Sequence, residues 1–104
     1  MQISNVRVFK LLTGESIIGE LVGDSDLLIH VQSPFSIGMI RGTDGPELGF
    51  SEWILASEPE QLVYFYLTAL ASAPINVIEE VAIGYQKALA KIIVPEVSSI
   101  ILPR

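Results

Sequence analysis

The sequence lacks cysteine altogether, and this absence excludes disulfide bonds, zinc–thiolate sites and a cysteine nucleophile. Charged side chains are also scarce, at 17% of the residues, whereas 50% are hydrophobic. A chain of this composition lies far from the disordered class. We expect residues 1–104 to form a single domain, and a domain of that size cannot bury so many apolar side chains alone. The composition therefore predicts a partner or self-assembly.

Positive charge is the second scarce feature, because six basic residues face twelve acidic ones and give a formal net charge of −6. The basic residues are scattered and form no run: Arg7, Lys10, Arg41, Lys87, Lys91 and Arg104. Proteins that grip a phosphate backbone present cationic patches, so strong non-specific binding of nucleic acid is disfavoured. The composition does not exclude a few focused contacts with nucleic acid.

No segment has the pattern of an exported chain, because the stretch MQISNVRVFK lacks the apolar core of a signal peptide. We expect a cytoplasmic protein, in keeping with the absence of cysteine. The longest run without charge, residues 61–78, is long enough for a membrane span to be considered. It contains Pro74 and Asn76, however, and its first half is aromatic and β-branched. These features favour a buried strand that leads into a helix, and we expect no membrane contact.

The stretch TGESIIGEL, residues 13–21, spaces two glycines as a phosphate-binding P-loop does. A P-loop needs a lysine and then a hydroxyl directly after the second glycine, to reach the phosphates and to coordinate magnesium. Glu20 and Leu21 stand in those places. A carboxylate repels phosphate and leucine cannot bind a metal, so the stretch predicts a turn between two strands.

Alternating hydrophobicity and turn residues predict five extended segments within residues 1–74: 6–12, 16–22, 27–40, 49–55 and 62–73. Residues 41–49 read as a glycine-rich loop. Gly19 inside the second segment indicates a bulge, a bend or a close backbone approach, and Pro34 must lie at an edge or a bend because it cannot donate to a ladder. Short segments joined by turns are typical of a small, strongly bent β-barrel.

The rest of the chain has helical periodicity, and we predict an α-helix over residues 75–94. Asn76 and Glu79 have the spacing of a capping box, and acidic residues begin the segment while Lys87 and Lys91 lie near its end. Residues 95–104 contain the apolar run Ile100 to Leu102 and predict a short terminal strand, on the same chain or on a neighbour. The fold class is therefore mainly β, with a C-terminal helix.

The run VRVFKLLTGESIIGELVGDSDLLIHV resembles the first motif of Sm-like proteins. Gly14, Gly19 and Asp26 match that motif, His30 takes the place of its asparagine, and the turn before Asp26 carries one extra residue. The layout, with a tryptophan strand and a C-terminal helix after the motif, looks most like the short Sm-like proteins encoded by phages of the cyanophage type. The resemblance covers about a quarter of the chain.

The Sm-like resemblance implies a five-stranded barrel whose edge strands pair between subunits, in rings of about five to seven copies. It also implies a ligand, single-stranded RNA rich in uridine, with Asp26 and His30 near the pore. Met39 to Gly42 carry the letters of the second Sm motif, which makes Arg41 a third candidate, although they come only eleven residues after His30. At the expected place of that motif stand the acidic residues of 57–61.

Each candidate site has a structural alternative. His30 is either a base-stacking residue or a strand residue satisfied by a neighbour such as Asp26. The aromatic residues are either a stacking platform for single strands or core and subunit interface: Phe50, Trp53, Tyr64, Phe65 and Tyr66. No serine-nucleophile motif, calcium loop or metal-ligand set is present, and Glu58 and Glu60 are typical solvated turn acids. We therefore predict a non-enzymatic protein without cofactor or metal, either a ring that binds single-stranded RNA weakly or a protein-interaction scaffold.

Overall fold

The computed structural model describes residues 5–54 and 61–93. Six strands and one α-helix follow one another in this part of the chain, with a short 3₁₀ turn, Leu67–Ala69, after the fifth strand. Their bounds are β1 (Val6–Lys10), β2 (Ser16–Asp24), β3 (Leu28–Gly42), β4 (Gly45–Glu52), β5 (Leu62–Tyr66), β6 (Ile75–Asn76) and α1 (Glu79–Ile93). The predicted terminal strand, residues 95–104, lies outside the described residues.

The prediction of a mainly β fold with a strongly bent antiparallel sheet and a C-terminal helix is confirmed. The strand order is β4-β3-β2-β1-β6, and β5 pairs with β3 beside this path. Among the described residues the sheet does not close into a full barrel, because β4 and β6 remain at its two ends. Within the same residues, no helix is both long enough and apolar enough to cross a bilayer.

The long strand β3 bends sharply at Ser33 and Pro34. Ser33 has φ +55°, in the left-handed region, and Pro34 has no N–H to donate to a neighbouring strand. Before the bend, Leu28 to Gln32 pair with β5, and after it, Phe35 to Gly42 pair with β4. The bend therefore divides one edge of β3 between two partner strands that leave it in different directions.

Gly19 lies against the inside of this bend. A Cβ atom at Gly19 would lie 2.5 Å from Cγ1 of Val31 and 3.2 Å from the carbonyl oxygen of Gln32. The pairing of β2 with β3 shifts register between Ile18 and Glu20, on either side of the glycine. The bulge and close backbone approach predicted for Gly19 are confirmed, and they allow β2 to follow the curvature of β3.

Each face of the bent sheet carries its own apolar cluster. The inner cluster fills the concave side of the sheet, and its buried members are Phe9, Leu11, Ile17, Ile29, Val31 and Phe65. The outer cluster joins the sheet to the helix, and its buried members are Val6, Ile18, Phe35, Ala82, Tyr85 and Leu89. Neighbouring residues of one strand, such as Ile17 and Ile18, therefore serve different clusters because they point to opposite faces.

Tyr85 of α1 fixes the helix to the bend of β3. Its ring is fully buried and meets the Phe35 ring edge to face, with centroids 5.7 Å apart. Its hydroxyl donates a 2.6 Å hydrogen bond to the carbonyl oxygen of Ser33, the residue with positive φ. Burial raises the pKa of this hydroxyl above its ordinary value, and the nearby charge of Glu20 acts in the same direction, while the side chain of Ser33 acts in the opposite direction.

The raised pKa of Tyr85 predicts a loss of stability in alkali. The folded protein holds the phenol neutral, whereas the unfolded chain releases its proton near pH 10, so the unfolded state gains as the pH rises. The contribution of Tyr85 is therefore present in full below about pH 10 and falls above it. Denaturant midpoints measured from pH 8 to pH 11 should decline more steeply for the parent protein than for Tyr85→Phe; equal slopes would contradict this account.

The turn between β1 and β2 confirms that TGESIIGEL turns the chain. Gly14 has φ +98° and its N–H bonds to the carbonyl oxygen of Leu11 at 2.9 Å, and the strand β2 follows from Ser16. No helix opens after the second glycine, as a P-loop would require.

The predicted loop over residues 41–49 is wrong. Gly42 pairs with Gly45, which leaves only Thr43 and Asp44 as a two-residue hairpin turn, and Gly45 has φ +119°. Gly45 has the positive φ that closes the hairpin, and the residues from Gly45 onward pair with β3. The interval from 45 to 49 therefore belongs to β4, and β3 extends to Gly42.

The predicted helix over residues 75–94 begins later, at Glu79. Ile75 and Asn76 instead form β6 and pair with Val8 and Arg7 of β1, so that strand pairing removes Asn76 from the capping position. The carbonyl oxygen of Ile78 accepts the first helical hydrogen bonds. The charge pattern agrees with the helix dipole, since the first turn is acidic and the last turn is basic.

Candidate functional site

The outer surface of β5 and the first half of β3 form an exposed, aromatic sheet face. Along β5, side chains alternate between the inner cluster and solvent, and the outward ones are opposite outward residues of β3. We call this surface the aromatic face, and it consists of Leu28, His30, Gln32, Leu62, Tyr64 and Tyr66. The aromatic face lies beside the region of the sheet that α1 covers.

The imidazole of His30 and the ring of Tyr64 stack on each other at the centre of the aromatic face. Their centroids are 4.3 Å apart and their planes differ by 15°. On the other side of His30 lies Gly23 of β2, where an added Cβ would come within 3.1 Å of Nδ1. The absence of a side chain at Gly23 therefore leaves room for the imidazole, and the imidazole in turn supports one side of the Tyr64 ring.

Tyr64 and Tyr66 remain open to solvent on the aromatic face. Tyr64 is 53% exposed and Tyr66 is 65% exposed, although the intervening Phe65 is buried in the inner cluster. Two large aromatic side chains of one strand thus present ring surface and hydroxyl groups outward. Aromatic rings attract both apolar groups and cations, because their faces carry partial negative charge.

Carboxylates lie at both ends of the aromatic face. Glu20 is opposite Gln32 in the β2–β3 ladder, next to the end that carries Leu62. Asp26 belongs to the turn between β2 and β3 at the other end, and the N–H of Leu67 bonds to the carbonyl oxygen of Leu27 in that turn at 2.8 Å. This bond holds the acidic turn next to the end of β5. Asp24, the last residue of β2, is opposite the inward-facing Ile29 and therefore points to the other side of the sheet.

The basic residues of the described segments lie away from the aromatic face, and Arg41 is at the far end of β3, opposite Pro46. Arg7 and Lys10 lie on β1, where their side chains donate to the carbonyl oxygens of Val6 and Gly14. Lys87 and Lys91 are exposed residues of α1. Across residues 5–54 and 61–93, the aromatic face thus combines aromatic rings with negative charge and contains neither lysine nor arginine.

The three residues predicted as a nucleic-acid site do not lie together. Asp26 is exposed in the β2–β3 turn, near the end of the aromatic face, and His30 is supported by Tyr64. Arg41 is opposite Pro46 at the hairpin tip of β3 and β4, roughly 35 Å of strand path from His30. The contribution of Gly23 was missed, and the partnership of His30 with Tyr64 could not be read without the pairing register.

The five aromatic residues proposed as a platform divide into two groups. Phe50 packs against the outer cluster, whereas Trp53 and Phe65 belong to the inner cluster, with their rings 5.0 Å apart. Tyr64 and Tyr66 alone among the five face outward. Phe50, Trp53 and Phe65 are therefore core residues, and only the two tyrosines are placed to form a stacking surface.

A second exposed apolar surface lies on the hairpin of β3 and β4. Met39 is 65% exposed and its cross-strand neighbour Leu48 is 41% exposed. A shallow groove of about 350 Å³ runs along Met39, Gly49 and neighbouring residues, and a second of about 420 Å³ adjoins Arg41 and Pro46. Among the described residues, no strand pairs with the outer edge of β4.

Within the described segments, no group of three or more histidine, aspartate or glutamate residues has an arrangement that would hold a metal ion. No family model matches the chain, and no curated protein matches it either.

Proposed function

We propose that this protein is a non-enzymatic scaffold that assembles with copies of itself into a ring through its open strand edges. The observation that supports this best is the outer edge of β4. Eight residues, Gly45–Glu52, expose backbone donors and acceptors that no described strand pairs. Met39 and Leu48 add exposed apolar surface beside that edge. Native proteins rarely leave such an edge open, because it pairs readily with other chains.

The outer edge of β5 supplies a complementary surface for the β4 edge. Among the described residues, β5 pairs only with β3, so its second edge is open as well. An open β4 edge and an open β5 edge on each chain permit head-to-tail pairing between copies, and such a contact forms a ring when the rotation closes. The Sm-like resemblance of residues 6–31 favours this arrangement, since Sm-like proteins form rings by edge-strand pairing.

The proposal includes no catalytic step. Across the described segments, the hydroxyl group with a raised pKa is that of Tyr85, which is buried in the outer cluster and donates to Ser33. It holds α1 against the bend of β3. The hydroxyl groups of the aromatic face belong to exposed tyrosines, which are suited to binding rather than to proton transfer.

Weak binding of single-stranded RNA is the alternative role for such a ring. The stack of His30 and Tyr64 favours it, because an exposed ring surface can receive a base. The net charge of −6 and the distance of Arg41 from His30 oppose it. We therefore place the scaffold first and RNA second.

Assembly is tested by the molar mass in solution, measured by light scattering after gel filtration. We expect the parent protein to have the mass of a closed ring of several copies. Leu48→Lys adds a charge beside the β4 edge and is expected to lower the mass to that of one chain, because charged edges resist pairing. Leu12→Lys is the matched control: Leu12 is 68% exposed and lies in the β1–β2 turn, so the mass should not change.

Either of two results would contradict the ring. A parent protein that remains a single chain at all concentrations shows that the open edges do not pair. A Leu48→Lys variant with the parent mass shows that assembly uses another surface. Circular dichroism of both variants checks that the sheet has formed.

A further inference from the structure

We propose that the aromatic face binds an extended, basic segment of a partner protein through arginine or lysine side chains. Three features support this: exposed tyrosine rings, carboxylates at both ends of the face, and a ring stack that is already in place. The proposal deepens the scaffold function by naming the chemistry of the partner. It does not require the ring, because all six residues of the aromatic face belong to one chain.

Tyr64 and Tyr66 provide the binding surface for the cations. Guanidinium and ammonium groups are attracted to the face of a tyrosine ring, and arginine also stacks on it through its planar group. The two tyrosines lie two residues apart on β5 and point to the same side of the sheet. An extended peptide repeats its side chains at the same interval, so it can place one cation over each ring.

The carboxylates decide the sign of the ligand. Glu20 lies at one end of the aromatic face and Asp26 lies in the turn at the other, so a bound segment meets negative charge at both ends. Phosphate groups of RNA would meet the same carboxylates and be repelled. A basic protein segment fits all three features.

The stack of His30 on Tyr64 lowers the entropic cost of binding. The Tyr64 ring is supported by the imidazole at 4.3 Å, and Gly23 leaves the space that the imidazole occupies. A ring whose orientation is fixed before binding loses less conformational freedom when the cation arrives. His30 and Gly23 are thus positioning residues, whereas the tyrosines and the carboxylates contact the ligand.

The aromatic face stays accessible in an assembly. Pairing between strand edges uses backbone groups in the plane of the sheet and leaves the faces of the sheet uncovered. A ring made through β4 and β5 would therefore present one aromatic face per copy. Several weak sites in one ring would give a tight overall contact with a partner that carries several basic segments.

The test uses three fluorescent probes and the full-length protein: a short peptide of alternating arginine and glycine, the same peptide with glutamate in place of arginine, and a uridine-rich oligonucleotide. Fluorescence anisotropy at low salt should show saturable binding of the arginine peptide and none of the glutamate peptide. Added salt should weaken the binding, since part of it is electrostatic. Amide shifts in nuclear magnetic resonance spectra should change in β5 and in the β2–β3 turn.

Variants locate the site. Tyr66→Ala should reduce the affinity for the arginine peptide about two- to fivefold, the range expected for one exposed cation–ring contact. Leu12→Ala is the matched control, because Leu12 is as exposed as Tyr66 but lies in the β1–β2 turn. Asp26→Asn should reduce both the affinity and its salt dependence, whereas Asp44→Asn, in the β3–β4 turn, should change neither.

Three outcomes overturn the proposal: no binding of the arginine peptide at low salt, equal affinity for Tyr66→Ala and the parent, or tighter binding of the oligonucleotide than of the peptide. The last would support the RNA alternative. The molar mass of each variant is measured in parallel. A variant that keeps the parent mass but no longer binds the peptide shows that the ring forms without the peptide site. A variant that becomes a single chain but still binds the peptide shows that the peptide site works without the ring.

Discussion

Replacing Gly19 by alanine is expected to destabilise the protein by about 1–3 kcal/mol, the range for a group forced into a filled core. The new Cβ would lie 2.5 Å from Cγ1 of Val31, which is a stiff, β-branched side chain with no exposed surface. The same Cβ would lie 3.2 Å from the backbone oxygen of Gln32 and 3.4 Å from Cα of Pro34, so the bend itself must shift. Denaturant unfolding, followed by circular dichroism, measures the change.

Gly38→Ala is the matched control for Gly19→Ala. Gly38 also lies inside a strand, but a Cβ atom there would meet nothing within 4 Å. Alanine should therefore leave stability unchanged or raise it by about 0.4–1 kcal/mol, because it restricts the unfolded chain. Equal effects of the two substitutions would show that the close approach at Gly19 does not limit the fold.

Replacing Tyr85 by phenylalanine is expected to cost about 1–3 kcal/mol, although the ring itself is retained. The substitution removes a 2.6 Å hydrogen bond and leaves the carbonyl oxygen of Ser33 with one partner fewer in a buried place. The lost hydrogen bond is made to Ser33, which is the one non-glycine residue with positive φ in the described segments and whose backbone already carries strain.

Tyr66→Phe removes the same hydroxyl group from an exposed tyrosine and should change stability by less than about 0.5 kcal/mol. A comparable loss in both variants would indicate a general effect of the hydroxyl group and not the bond to Ser33. Tyr85→Phe keeps the ring that meets Phe35 edge to face. The stability lost in this variant therefore reports the hydrogen bond and not the packing of the ring.

The local features of the fold were predictable because they depend on neighbours in sequence. The strand cores of β1 and β2 follow from alternation, and Gly19 interrupts a strand in a way that indicates a bulge or a close approach. The β-rich class with a C-terminal helix follows from the change of period after Pro74.

Features that depend on distant pairing were not predictable. The interval from 45 to 49 looks like a loop by composition, and only its ladder with β3 makes it a strand. Asn76 has good capping chemistry, but pairing with Arg7 takes it into β6. Tyr85 looks like any apolar helix position, and its bond to Ser33 joins residues 52 positions apart.

The candidate site shows the same division. The alternation in LVYFY indicates that Tyr64 and Tyr66 share one face, but not which face is buried. The register of β5 on β3 places His30 against Tyr64, and the register of β2 on β3 places Gly23 behind it. Arg41 was grouped with His30 by motif letters alone, whereas the register of β4 on β3 places it at the hairpin tip, opposite Pro46.

The division of β3 at Ser33 has a consequence for symmetry. In an assembly that pairs β4 of one copy with β5 of the next, the angle between these two strands within a chain fixes the rotation from copy to copy. The number of copies per turn is then determined inside each protomer, far from the contact itself. Gly19, Ser33 and Tyr85 would thus set the stoichiometry of a complex whose interface contains none of them.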